Sequence, residues 1–276
     1  MKNNNSALSR GQKSKFPAMA LGLGLAMTAP AFATDYDGVT NITTTVTIGG
    51  DMRLAPTGGS SSTFNITSTG SFTAQDGGRI GEDGDYAELN VAFGGNLHMD
   101  GEVTGNQGKV TDQTIRLNIF GTAFIEQLKF SEENTDDTLV VVGDGTNVAT
   151  LTVIEGFFAK NGFASMTVNN NSSFILDTDF GSSVGTFGID TGGNASGGYI
   201  DLVGTGTIKV LTAAGSSNGF GAAIAGTITG NGGTTAVTSE VDGDYLVYST
   251  SAIPEPSSMS LLALGGLALL RRRRRA

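Results

Sequence analysis

The chain has 276 residues, 42 glycines, no cysteine, no tryptophan and a formal net charge of −10. The lack of cysteine excludes a disulfide framework and a thiolate metal site, and the acidity argues against nucleic acid and anionic lipid as partners. The length suits one domain or an elongated array.

The N-terminus reads as a secretory signal peptide over residues 1–33. Lys2, Arg10, Lys13 and Lys15 form a basic region with no acidic residue, and Ala18 to Ala29 is apolar. Ala31-Phe32-Ala33 is an A-x-A cleavage site for signal peptidase, with Ala31 and Ala33 as its small residues. Basic, apolar and small-residue zones in that order mark a segment that is removed rather than folded. A mature domain at 34–253 follows, starting at Thr34.

That middle region repeats an apolar–polar–apolar triplet, a small-residue turn and a further apolar position. Thr44-Thr45-Val46 then Met52 is a weak copy. Clearer ones are Phe64-Asn65-Ile66 then Phe72, Leu89-Asn90-Val91 then Leu97, and Leu117-Asn118-Ile119 then Phe124. Leu151-Thr152-Val153 then Phe158, Met166-Thr167-Val168 then Phe174, and Ile200-Asp201-Leu202 then Ile208 continue the series. Alternation places both apolar residues of a triplet on one face of a strand, and glycine permits the bend that follows. One unit cannot bury its own apolar face, but stacked units can. The expected fold is all-β, a right-handed parallel β-helix (solenoid). Asn65, Asn90 and Asn118, then Thr152, Thr167 and Asp201, would form an outer ladder, since stacked asparagines bond side chain to side chain.

Intervals between triplets are uneven. The step from Val153 to Val168 is 15 residues, which is tight for a coil and allows Leu151 and Met166 to pair as an antiparallel hairpin. A β-sandwich or jelly roll is therefore the alternative. Tyr245-Leu246-Val247-Tyr248 is either a cap on the C-terminal end of a solenoid or the last strand of a sandwich. The Gly-rich pattern over about 40–210 loosely resembles the β-helical repeats of autotransporter passenger domains, a resemblance that carries no named residue across.

Chemistry-bearing residues are sparse. His98 alternates with Leu97 and Met99, so it points outward from a strand, and no cysteine or second histidine can join it as a ligand. Asp76, Glu82, Asp83 and Asp85 lie in one glycine-rich stretch, a weak Ca²⁺ candidate. Their spacing fits neither the EF-hand loop nor the nonapeptide Ca²⁺ repeat. Glu132, Glu133, Asp136 and Asp137 form a second acidic group, and Asp242 and Asp244 flank Gly243. Asp177 and Asp179 would share a strand face, and with Arg116 or Lys160 in one groove they would suggest polysaccharide cleavage. The residues alone meet no geometric criterion for an active site, so the expectation is no catalytic residue, no enzyme and no required cofactor.

The C-terminus carries Pro254-Glu255-Pro256, an uncharged run Ser257–Leu270 of 14 residues, and Arg271, Arg272, Arg273, Arg274 and Arg275. Arginines after an apolar helix act as a stop-transfer signal retained on the cytoplasmic side. The run is short against the roughly 20 residues a bilayer core requires, so membrane association should be transient. The order of tripeptide, hydrophobic helix and arginine cluster over 254–276 closely resembles the PEP-CTERM sorting signal of exported bacterial proteins. The resemblance implies recognition of Pro254, Glu255 and Pro256 by a membrane-embedded exosortase and cleavage near them. It also implies delivery to the cell surface, outer envelope or medium, with exopolysaccharide as an expected associate. Without both ends, residues 34–253 keep seven Lys and Arg against 25 Asp and Glu, a net charge of −18. The sequence reading is a non-catalytic surface or matrix protein of a biofilm. The alternative is a carbohydrate-active lyase, hydrolase or lectin on the same scaffold.

Overall fold

The computed structural model describes residues 33–81, 85–105, 114–129, 137–157, 163–177, 198–211 and 228–250. The segments 1–32 and 251–276, where the sequence places a leader and a sorting tail, lie outside them. No helix occurs among the described residues.

Strands follow the alternation of the sequence, rung by rung. After β1 (Thr34–Tyr36), the first rung is β2 (Gly38–Ile42), β3 (Thr45–Ile48) and β4 (Met52–Leu54). The second is β5 (Ser61–Ile66), β6 (Ser71–Ala74) and β7 (Gly78–Ile80). Later rungs use two strands each. They are β8 (Tyr86–Val91) with β9 (Asn96–Gly105), then β10 (Thr114–Ile119) with β11 (Thr122–Lys129), and β12 (Asp137–Val142) with β13 (Thr150–Phe157). Next come β14 (Phe163–Val168) with β15 (Ser173–Leu176), then β16 (Gly198–Leu202) with β17 (Thr207–Leu211). The chain ends in β18 (Ile228–Gly230), β19 (Val237–Asp242) and β20 (Tyr245–Thr250).

Each rung pairs in parallel with the next, giving a β-solenoid of two sheets. The eight-stranded sheet runs β2-β5-β8-β10-β12-β14-β16-β18. The twelve-stranded sheet runs β1-β4-β7-β9-β11-β13-β15-β17-β20-β19, with β3 and β6 paired beside it. Because the register is kept, equivalent residues stack. In the eight-stranded sheet Phe64, Leu89, Leu117, Val140, Met166 and Ile200 form one inward column. Phe72, Leu97, Ala123, Leu151, Phe174 and Ile208 form the facing one. All twelve are 2% exposed or less. Burial of each large apolar side chain is worth about 1.5–3 kcal/mol, which no rung could gain alone.

The two sides of the coil differ. Connections from the eight-stranded to the twelve-stranded sheet take two to seven residues, while those leading back from β4 onward take five to 21. At the short corner the backbone ladder continues without a break. Thr67 N–H donates to Ile42 O at 2.9 Å, Ala92 N–H to Ile66 O at 2.8 Å and Phe120 N–H to Val91 O at 2.7 Å. The residue that ends this corner must then be small, as Gly70, Gly95, Gly121 and Gly206 are. A Cβ on Gly70 would lie 2.2 Å from Ile42 O, and one on Gly121 would lie 2.4 Å from both Ala92 O and Gly95 O. These are clashes with backbone atoms that cannot rotate away.

Both ends are closed differently. At the N-terminal end Tyr36 packs edge-on against Phe64 and Phe72, with centroids 4.8 and 6.1 Å away. At the C-terminal end β20 pairs antiparallel with β17, and β19 pairs antiparallel with β20. Asp242 opposes Tyr245 across the two-residue turn Gly243-Asp244, with Gly243 at φ 61°, as a hairpin turn with glycine first requires. The Tyr245–Tyr248 stretch is therefore a cap on a solenoid.

The structure reorders part of the expected repeat. Thr44–Val46 and Leu151–Val153 belong to the larger sheet, and the true members of the triplet series are Thr40-Asn41-Ile42 and Val140-Val141-Val142. The steps from Ile119 become 23 residues to Val142 and 26 to Val168. The anomalous 15-residue step disappears, and Leu151 and Met166 sit in different sheets rather than in a hairpin. Val140–Val142 lies in an apolar run whose outward member is itself valine, so no alternation marks it. Phe124 points outward, and Ala123 and Ile125 fill the core in its place.

Gly121→Ala should lower stability by roughly 2–3 kcal/mol, the cost of overpacking a rigid site, readable as a reduced denaturation midpoint. Burial pushes the Tyr36 phenol up to about 12 from 10.0. Its folded value exceeds its unfolded one, so the stabilisation is complete below about pH 10 and is lost as pH rises towards about 12. The shift corresponds to about 2–3 kcal/mol. Denaturant unfolding across this range should show a steeper alkaline loss in the wild type than in Tyr36→Phe.

Candidate functional site: the outward columns of the two sheets

The same register that stacks the core stacks the outer surface. On the eight-stranded sheet one outward column runs Asn41, Asn65, Asn90, Asn118, Val141, Thr167, Asp201, Thr229. The asparagines are chained. Asn65 Nδ2 donates to Asn41 Oδ1 at 2.9 Å, Asn90 Nδ2 to Asn65 Oδ1 at 2.8 Å and Asn118 Nδ2 to Asn90 Oδ1 at 2.7 Å. Asn118 Nδ2 also donates to Glu88 Oε1 at 2.9 Å. Sequence reasoning found the Asn65–Asn90–Asn118 ladder but missed its first member, Asn41, and placed Thr152 where Val141 stands. Asp201 ends the ladder differently. Its carboxylate accepts from Thr229 Oγ1 at 2.8 Å and from Gly232 N–H at 2.9 and 3.0 Å, which ties down the turn after β18.

On the twelve-stranded sheet an outward column of neutral polar residues crosses the face. Thr45, Ser71, Asn96, Thr122, Thr150, Ser173, Thr207 and Ser249 lie in register, one per strand. Ser173 and Thr207 share a hydroxyl hydrogen bond of 2.9 Å. The spacing between neighbours is that of adjacent strands, about 4.8 Å.

The parallel column beside it runs Thr47, Thr73, His98, Phe124, Thr152, Ile175, Lys209. His98 points outward as its alternation with Leu97 and Met99 predicts. Its ring stacks on that of Phe124, centroids 4.6 Å apart and 12° from parallel, and Nε2 lies 2.7 Å from Asp100 Oδ1. A bulge sits here, where β9 has one residue more than β11 between the Met99–Ile125 and Glu102–Gln127 pairs. Gly101, at φ 80°, supplies the left-handed residue, and its N–H donates to Glu126 Oε2 at 2.6 Å.

The sequence-predicted carboxylates scatter. Asp76 lies in the turn before β7 and Asp85 just before β8, so a strand separates them; Glu82 and Asp83 fall outside the described residues. Among the described residues no three His, Cys, Asp or Glu side chains group as metal ligands. Asp137 is exposed at the start of β12, and Glu132, Glu133 and Asp136 lie outside. Asp177 follows β15 in the larger sheet and accepts from the Tyr245 hydroxyl at 3.3 Å. Arg116 lies on β10 in the other sheet, beside Glu88, so it shares no groove with Asp177. Asp179 and Lys160 are outside the described residues. Burial, then the neighbouring Glu88 carboxylate, raises the Tyr86 phenol.

One polar feature carried no advance signal. The Asp144 carboxyl is held below its ordinary range by the N–H and side chain of Asn147 and the N–H of Thr146. The Asp144 Oδ1 distances to the two backbone nitrogens are both 2.8 Å. This closes the longest of the short-corner connections.

Ala33 is the first described residue, and Thr34 opens β1 directly, its N–H donating to Asp51 O at 2.7 Å. Ala31, the Pro254-Glu255-Pro256 tripeptide and Arg271 to Arg275 lie outside the described residues. Comparison with known families matches residues 252–275 to the PEP-CTERM protein-sorting motif. No curated protein matches the chain, and no solved structure does. The motif indicates an exported protein that exosortase processes and that is sorted to the cell surface or extracellular space.

Asn118→Leu severs the ladder bond to Asn90 and the bond to Glu88, and thermal unfolding should show a loss of about 1–2 kcal/mol. An unchanged melting temperature would mean that the amide chain adds nothing to stability.

Proposed function

We propose that the exported domain is a non-catalytic component of the cell surface or extracellular matrix that associates with exopolysaccharide. The observation that carries this reading is the neutral polar column from Thr45 to Ser249 on the twelve-stranded sheet. The domain is strongly acidic, yet this column presents hydroxyls and one amide with no carboxylate among them. Such groups donate and accept hydrogen bonds without the electrostatic penalty that carboxylates impose on an anionic glycan. Their repeat, one per strand in register, suits a polymer, because many weak contacts on one chain add by effective concentration. Loss of any one contact should matter little, whereas a charge in the middle of the row should disrupt several.

The fold and the compartment agree with this role, and Asp177 and Arg116 on separate sheets give no support to the glycosidase alternative. Export to a polysaccharide-rich surface supplies the encounter; the sheet face supplies the contact.

The test is cosedimentation of the exported protein with purified exopolysaccharide from the producing cell. Wild type should pellet with the polymer, and Thr122→Glu, folded by its thermal transition, should stay in the supernatant. Equal pelleting of the two proteins would remove the sheet face from the role. Release of reducing or unsaturated ends during incubation would replace this reading by the carbohydrate-active enzyme.

A further inference from the structure

Side-chain size varies along the second outward column of the larger sheet. Thr47 and Thr73 are followed by His98 and Phe124, then by Thr152, then by Ile175 and Lys209. Thr152 on β13 is therefore a low point between two tall neighbours, Phe124 on β11 and Ile175 on β15. These walls stand two strand spacings apart, about 9.6 Å. His98 covers one face of the Phe124 ring, with centroids 4.6 Å apart, and the register leaves the other face towards Thr152. Half-buried Ile154 closes the notch two residues along β13. Thr150 of the hydroxyl row lies two residues back on the same face.

Two carboxylates border the notch. Asp177 N–H donates to Val153 O at 2.9 Å, which sets Asp177 beside Ile154. Glu126 lies on the other side of Ile154, between the pairs Ile125–Val153 and Gln127–Glu155. Both side chains are exposed. Glu126 accepts from Gly101 N–H at 2.6 Å and Asp177 from the Tyr245 hydroxyl at 3.3 Å, and a carboxylate with one donor can accept more. The notch thus joins an aromatic face, aliphatic walls, hydroxyls and anchored anionic acceptors.

We propose that the notch over Thr152 seats one hexopyranose unit of an uncharged glycan. This rests on the glycan-facing reading of the larger sheet and narrows it to one seat and one class of sugar. A hexopyranose with equatorial hydroxyls is apolar on its ring faces and polar round its rim. Its C–H groups suit the electron-rich face of Phe124. Its hydroxyls bond to Thr150 and Thr152 and donate to Glu126 and Asp177, where charge strengthens the bond. The same carboxylates repel a uronate sugar or a lipid phosphate. A protein partner is disfavoured, because the apolar surface is confined to one rung and its neighbours, less than a stable interface buries.

Calorimetric titration of the exported protein with cellohexaose, a neutral glycan of equatorially linked glucose, should show binding. Phe124→Ala should weaken it roughly tenfold, the loss of one stacking contact, and Thr152→Leu, which fills the notch, should weaken it at least as much. Both side chains face outward, so both variants should keep the wild-type thermal transition. Thr63→Leu, the same change on the outer face of the smaller sheet, should bind as wild type does. Cellohexaose oxidised at C6, with a carboxylate on each ring, should bind more weakly than the neutral sugar. The inference fails if cellohexaose does not bind wild type, if a folded Phe124→Ala or Thr152→Leu keeps wild-type affinity, if Thr63→Leu loses it, or if the oxidised glycan binds equally well. Exopolysaccharide that pellets wild type when cellohexaose does not bind would remove the seat alone. Cellohexaose binding that depends on Phe124, without pelleting of exopolysaccharide, would remove the exopolysaccharide role alone.

Discussion

Close contact between the backbones of successive rungs at the short corner is the constraint on which the rest of the structure depends. Gly70, Gly95, Gly121 and Gly206 occupy equivalent positions there, each with a carbonyl of the preceding rung where a Cβ would be. With that contact made, the amide ladder passes from one sheet to the other without losing register. Register in turn decides which side chains stack, because a slip of one residue would exchange every inward side chain for an outward one. The apolar columns, the asparagine chain and the hydroxyl row are three outcomes of one alignment.

Alignment explains why so acidic a domain can hold together. Parallel in-register stacking brings like residues side by side, which for carboxylates would be repulsive. The columns instead use residues that bond to their own kind: amide to amide from Asn41 to Asn118, hydroxyl to hydroxyl at Ser173 and Thr207. Two carboxylates on the smaller sheet have a partner of another type. Glu88 lies next to Arg116 and accepts from Asn118, and Asp201 accepts from Thr229 and a turn amide. Other carboxylates sit at turns, as Asp76, Asp144 and Asp244 do.

Legibility in the sequence followed how strictly each rung obeyed the alternation. Phe64-Asn65-Ile66, Leu89-Asn90-Val91 and Leu117-Asn118-Ile119 combine a polar centre with apolar flanks, so both the solenoid and its ladder could be read from them. Val140-Val141-Val142 has the same inward residues but an apolar centre, and the period vanished from the text while persisting in space. Phe124 misled for the opposite reason: a large aromatic signals a core position, but here it stacks on His98 outside while the small Ala123 lies inside. Reversal at β20 could not be read from composition, since an alternating strand looks alike in either direction. The sorting motif was fully legible because its recognition depends on local order of residues and not on folding.

Unequal connection lengths between the two sheets carry a consequence of their own. Returns to the smaller sheet from β4 onward vary from five to 21 residues while the stacked strands keep their pairing, so this rim tolerates changes of length that the opposite corner would reject. Added loop length costs little entropy, about 0.6 kcal/mol for each doubling. The rim thus behaves as a rack with slots at molecular intervals, where new peptide can be hung without disturbing the frame. Loop sequence can diversify there one slot at a time, and an engineer could mount epitopes in the same places, with their order along the sheets set in advance by the scaffold.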